Sequence, residues 1–148
     1  MNNAEDIFSQ YERYRQVLNE TNQANKSAVL NALAAASITT VTVDFDGCGD
    51  SGQINSVSAF SGENPVCLPH AIVTRKVISW GSTEAFSTQT ALEEAIEGLC
   101  YGYLEETHDG WENNDGAYGG FQFNVASGTI ELEFNGRFTD HWTDNRRF

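Results

Sequence analysis

"GFQFNVASGTIELEFNGRF" (residues 120–138) alternates apolar and polar side chains on both sides of a central Ser-Gly pair. Phe121, Phe123 and Val125 share one side of the first run, and Ile130, Leu132 and Phe134 share one side of the second. Successive side chains of a strand point to opposite faces, so this period predicts a hairpin with one apolar face, turning at Ser127-Gly128. Glu131 and Glu133 fall on the other face. A strand pair of this kind needs an apolar cover, and the preceding segment supplies one.

"TQTALEEAIEGLCYGYLEETH" (88–108) carries helical spacing. Leu92, Ile96, Leu99 and Tyr103 form a stripe for burial, while Glu93, Glu94, Glu97 and Glu105 occupy an arc expected to face solvent. Gly98 and Gly102 sit inside it at a cost of about 0.5–1 kcal/mol each relative to Ala. Close packing of the helix on the sheet is the expected reason, and Gly110 is the expected stop.

Upstream, Ile7, Tyr11, Tyr14 and Leu18 predict an amphipathic helix over 4–19. The polar run "NETNQANKS" (19–27) breaks that pattern and reads as a turn before a second helix, "SAVLNALAAAS". "ITTVTVDF" (38–45) is β-branched and alternating, a strand on both counts. "QINSVSAF" (53–60) should return beside it, with a slip of apolar phase between Ile54 and Val57 that predicts a bulge. "AIVTRKVISW" (71–80) reads as a third strand.

The expected fold class is α+β: a mostly antiparallel sheet of about five strands, with two N-terminal helices and one central helix packed on one face. Residues 1–148 are expected to form a single domain, with N-terminal helices over 4–36 and a sheet-and-helix core over 38–136. The tail 137–148 lacks periodicity and is expected to be mobile.

Charge narrows the function classes. The chain has 8 Lys and Arg against 21 Asp and Glu, a formal net charge of −13. From residue 77 to 136 there is no basic residue, while eleven acids from Glu84 to Glu133 fall there. Phosphate recognition depends on Lys and Arg, so nucleic acid is an unsuitable ligand and a basic protein surface is the natural complement. No run has the length of a membrane helix, and the N-terminus carries acids where a secretory signal has an apolar stretch. Three widely spaced cysteines, Cys48, Cys67 and Cys100, suit a reducing, cytoplasmic setting better than a disulfide framework.

Three stretches invite a chemical reading. "HDGWENNDGAYGG" (108–120) gathers His108, Asp109, Glu112 and Asp115, enough for an acid/base pair or a metal loop. The same residues describe a helix end followed by turn formers, with Trp111 and Tyr118 to clamp the connector to the sheet. "DFDGCGDSGQIN" (44–55) offers Asp44, Asp46 and Asp50 as weak cation ligands, but Cys48 and Asn55 stand where an EF-hand needs oxygen donors. Cys67 and His70 have one metal-type spacing without a matching second pair. Ser51 sits in "GDSGQ" without a nucleophile elbow, and no phosphate-cradling glycine motif is present. No cofactor is expected.

The turn G-D-S-G-x-I at Gly49, Asp50, Ser51, Gly52 and Ile54 resembles a bacterial domain family without assigned activity. So does the loop Gly110, Trp111, Glu112, Asn113, Asn114, Asp115, Gly116, Tyr118 and Gly119. The likeness spans roughly residues 30–136, and Gly102, Asp109 and the tail depart from the usual pattern. It implies a bacterial or mobile-element origin. The functional expectation is a non-enzymatic inhibitor presenting a negative surface to a basic, nucleic-acid-binding defence protein, such as a CRISPR complex or a nuclease. Its partner-binding residues are Glu93, Glu94, Glu97, Glu105, Asp109, Trp111, Glu112, Asp115, Glu131 and Glu133. Alternatives are an immunity protein against a nuclease toxin and a small metal-dependent enzyme.

Overall fold

The computed structural model describes residues 3–48, 51–79, 84–108, 111, 116–136 and 142–148. Helix α1 (Asn3–Ala35) leads into strands β1 (Thr40–Cys48), β2 (Ser51–Ser61) and β3 (Asn64–Val66). A ribbon of β4 (Ile72–Ile78) and β5 (Ala85–Ala91) then precedes helix α2 (Leu92–Thr107). Strands β6 (Ala117–Asn124), β7 (Thr129–Gly136) and β8 (Trp142–Arg147) complete the order. Six strands form one antiparallel sheet in the order β3-β2-β1-β6-β7-β8, and β4 pairs only with β5.

The α+β class and the antiparallel hairpin hold, with the turn spanning Val125–Gly128 and Gly128 supplying a positive φ of 68°. The expected bulge is present. Asp44 pairs with Ser56 and Phe45 with Ile54, which leaves Asn55 as the extra residue. Val41, Val43 and Phe45 of β1, Phe121 and Phe123 of β6, and Ile130, Leu132 and Phe134 of β7 make the buried face. Leu92, Ala95, Ile96, Leu99, Cys100, Tyr103 and Leu104 of α2 pack in the same core, and Val29 and Leu33 extend it to α1.

Three expectations are corrected. The two N-terminal helices are one: α1 runs unbroken through "NETNQANKS". Burial continues along its stripe at Tyr14, Leu18, Thr21, Asn22, Asn25, Val29 and Leu33, so helical spacing persists where apolar character lapses. Asn25 faces backbone groups that need hydrogen bonds. Asn25 Nδ2 donates to the Lys76 carbonyl (2.9 Å), and the Lys76 N–H donates back to Asn25 Oδ1 (2.8 Å), fastening α1 to β4. Further along, Asn19 Nδ2 donates to Glu106 Oε1 (2.9 Å), and Arg15 donates to the terminal carbonyls of α2 at Glu105 and Glu106. A cation is thereby placed at the negative end of a helix that has no basic residue in its own last turn. Toward the N-terminus the predicted stripe runs off the core, with Ile7 67% and Tyr11 44% exposed.

The second correction concerns residues 85–91, of which 88–91 are expected in the helix. They form β5, and α2 begins at Leu92, whose N–H donates to the Ala71 carbonyl (2.9 Å). Pairing with β4 outweighs the local helical signal. The third is the tail. β8 pairs along β7, and Phe148 exchanges backbone hydrogen bonds with Ile130 (2.7 and 3.2 Å) while its ring stacks on Tyr103 at 4.3 Å.

Asn25 yields a direct test. Asn25→Ala leaves both backbone groups of Lys76 without their partner and should lower unfolding stability by about 1–3 kcal/mol. The exposed Asn19→Ala should cost no more than about 0.5 kcal/mol. Urea titrations followed by circular dichroism compare the two.

Candidate functional site

Because α2 covers one face of the sheet, alternation leaves the other to solvent. On it, Asp44 of β1 stands beside Gly120 of β6, and Gly120 beside Glu133 of β7. Two strand spacings separate the two acidic positions, about 10 Å. Gly120 contributes no side chain between them, and a Cβ there would come within 2.8 Å of the Val43 carbonyl oxygen. The next row holds Thr42, Gln122, Glu131 and Arg147. With Tyr118 and Asn135 these rows line an open concavity of about 780 Å3.

Few local partners neutralise its acids. Ser56 Oγ donates to Asp44 Oδ2 (2.9 Å), and Arg147 Nε donates to Glu131 Oε1 (2.8 Å) in an exposed ion pair. Pairs so exposed contribute little to stability. Arg147 brings a basic side chain to this face on β8, a strand that the sequence pattern does not announce.

The acids expected to form one surface lie on two sides of the sheet. Glu131 and Glu133 face outward on β7, whereas Glu93, Glu94, Glu97 and Glu105 belong to the helix on the buried side. Glu93 and Glu94 are exposed in the first turn of α2, where carboxylates complement the helix dipole. Burial pushes the Glu97 carboxyl pKa up, helped by the like charges of Glu93 and Glu94. Glu105 departs from the solvent arc: it turns toward α1 and accepts the Tyr14 hydroxyl. Trp111 is also turned inward, edge-on to Phe45 at 5.3 Å and 82°. It lies over Gly47, where a Cβ would come within 2.6 Å of its ring. The expected clamp is therefore made by Trp111. Asp109, Glu112 and Asp115 lie outside the described residues.

Asp44 and Asp46 share the outward face of β1, two residues apart, while Asp50 lies outside the described residues. Among the described residues no group of three His, Cys, Asp or Glu is placed to hold one metal ion. Cys67 is exposed, but Cys100 is fully buried in α2, where desolvation pushes its thiol pKa well up. The side chain of Cys48 is outside the described set.

Beside the connector stands a cluster that spacing did not reveal. His108 Nε2 lies 2.8 Å from Asp144 Oδ2, and His108 Nδ1 lies 2.8 Å from Thr107 Oγ1. The ring stacks on Phe134 at 3.8 Å, and Arg146 Nε holds Asp144 at 2.9 Å. Thr107 Oγ1 also lies 2.8 Å from the Tyr103 carbonyl, to which it can donate. With the His108 side chain only 11% exposed, the arrangement latches the end of α2 to β8 and does not present an activated nucleophile. The two residues that make it, His108 and Asp144, are far apart in sequence, so no local motif announces it.

Titration of this latch has a definite sign. Burial lowers the His108 pKa below its ordinary 6.5, outweighing the Asp144 carboxylate that raises it. The hydrogen bond from Arg146 lowers the Asp144 pKa, with His108 adding to the effect. A histidine depressed on folding contributes its full stability above 6.5 and loses it as pH falls below that value. Nuclear magnetic resonance should therefore place the His108 midpoint below 6.5, and Asp144→Asn should move it lower still. Unfolding midpoints should fall on acidification through the same window.

The sequence pattern of a family described as "Family of unknown function (DUF6878)" matches residues 21–148. Neither a curated protein nor a solved structure matches the chain.

Proposed function

This chain belongs to DUF6878, a family of unknown function, and we propose that it is a non-enzymatic acidic protein that docks a basic protein surface. The observation that carries this reading is the row Asp44–Gly120–Glu133, two acidic positions on the outward face with a glycine between them. Two carboxylates on positions about 10 Å apart attract a Lys or Arg side chain of a partner. Glu131, about 7 Å from Glu133 along the strand, extends the negative line. A net charge of −13 adds long-range attraction to any basic groove.

The partner class is a basic, nucleic-acid-binding protein, and the activity is inhibition by occupation of its groove, as a mobile-element anti-defence protein would act. The sheet face replaces the mixed helix-and-hairpin surface as the docking site, because Glu105 and Trp111 are committed to internal contacts. Glu93, Glu94 and Glu97 form a separate acidic edge.

Capture from a bacterial host lysate at low and high salt, with mass spectrometry, identifies the partner. The double reversal Asp44→Lys with Glu133→Lys should weaken its binding by about tenfold or more, with unchanged circular dichroism. Glu93→Lys with Glu94→Lys, on the other side of the sheet, should change it by less than about threefold. Binding that survives the sheet-face reversal, or that is indifferent to salt, overturns the proposal.

A further inference from the structure

Three oddities of the chain meet at one place: the buried polar stretch of α1, the two glycines inside α2, and Arg75, a rare cation. Thr21, Asn22 and Asn25 of α1, Gly98 and Gly102 of α2 and Arg75 of β4 line one cavity of about 130 Å3. A Cβ at Gly98 would overlap the Arg75 guanidinium, and one at Gly102 would overlap the Asn22 amide. The helix accepts two unfavourable residues and thereby makes room for these two polar groups.

Both groups lack a partner. Asn22 is 3% exposed, and its Nδ2 has no acceptor among the described residues. Arg75 Nε is likewise buried and unpaired. Both atoms are donors, so the missing element is an acceptor. Buried polar groups are rarely left unsatisfied, and an unpaired group of this kind marks an absent ligand or water. Among the described residues no acid supplies it, although Glu105, which accepts the Tyr14 hydroxyl, lines the same cavity.

We infer that this cavity binds a small oxyanion, held by the Arg75 guanidinium and the Asn22 amide. An oxyanion accepts both donors and neutralises the guanidinium, which a neutral acceptor does not. Against about 30 Å3 for each liquid water, a volume of 130 Å3 takes a group of a few heavy atoms, such as inorganic phosphate or a short carboxylate. The site lies on the helix side of the fold, apart from the proposed docking face, and stands or falls independently of it.

Isothermal titration of the full chain with inorganic phosphate and with acetate, at matched ionic strength in chloride, tests the inference. One of the two should bind saturably: a phosphate response assigns a phosphoryl group, an acetate response a carboxylate. Asn22→Asp, which replaces a donor by a negative acceptor, and Arg75→Gln should each weaken that binding tenfold or more. The Arg75 Nε–H resonance of the unmodified protein should shift along the same isotherm, a readout that does not depend on either variant folding. Absence of saturable binding by both anions, an unmoved Nε–H resonance, or equal binding in well-folded variants shows that water satisfies the two donors and overturns the assignment.

Discussion

Burial of one face of the six-stranded sheet under α2 is the constraint on which the remaining structure depends. Phe45, Phe121 and Phe134 sit on adjacent strands of that face, and Tyr103 of α2 packs against Phe121. Burial of one large apolar side chain stabilises by about 1.5–3 kcal/mol, so several together hold the helix in place. Once α2 is there, period 2 sends Asp44, Glu131 and Glu133 to the opposite side. The same placement brings the end of α2 to β8, where His108 meets Asp144.

The second organising contact is polar. α1 is about 50 Å long at the usual rise, longer than the strands it accompanies. It is held by polar side chains: Asn25 hydrogen-bonds both backbone groups of Lys76, and the Arg15 guanidinium caps the carbonyl end of α2. These polar contacts satisfy backbone groups of β4 and α2 that apolar side chains would leave unpaired. They also leave a polar cavity where an all-apolar seam would have closed.

Charge is distributed differently in space than along the chain. A sixty-residue span without Lys or Arg suggests one continuous acidic surface. In the fold the acids separate into a sheet face and a helix edge, and β8 returns two arginines to the sheet. Arg147 pairs with Glu131, and Arg146 pairs with Asp144. The proposed docking role therefore rests on Asp44 and Glu133, which take no part in those two pairs.

Elements whose burial is apolar and local were legible: the β6–β7 hairpin, the stripe of α2, β1, and the bulge at Asn55 all follow from residue spacing. Period alone says which side of an element is buried. The continuity of α1 was not legible, because Thr21, Asn22 and Asn25 keep helical spacing without apolar character, and Asn25 bonds a residue 51 positions away. β5 and β8 were missed for a related reason. Their strand character comes from a neighbouring edge that needs backbone partners, and the inward positions Asp144 and Arg146 of β8 carry charge. By itself the sequence determined the α+β class, the apolar face and the excess of acid, since these depend on composition and on the fixed periods of helix and strand. Only the tertiary structure decided which acids share a face, which histidine meets which carboxylate, and where two buried donors stand without an acceptor. Those outcomes depend on distances between residues far apart in the chain, which no local pattern encodes.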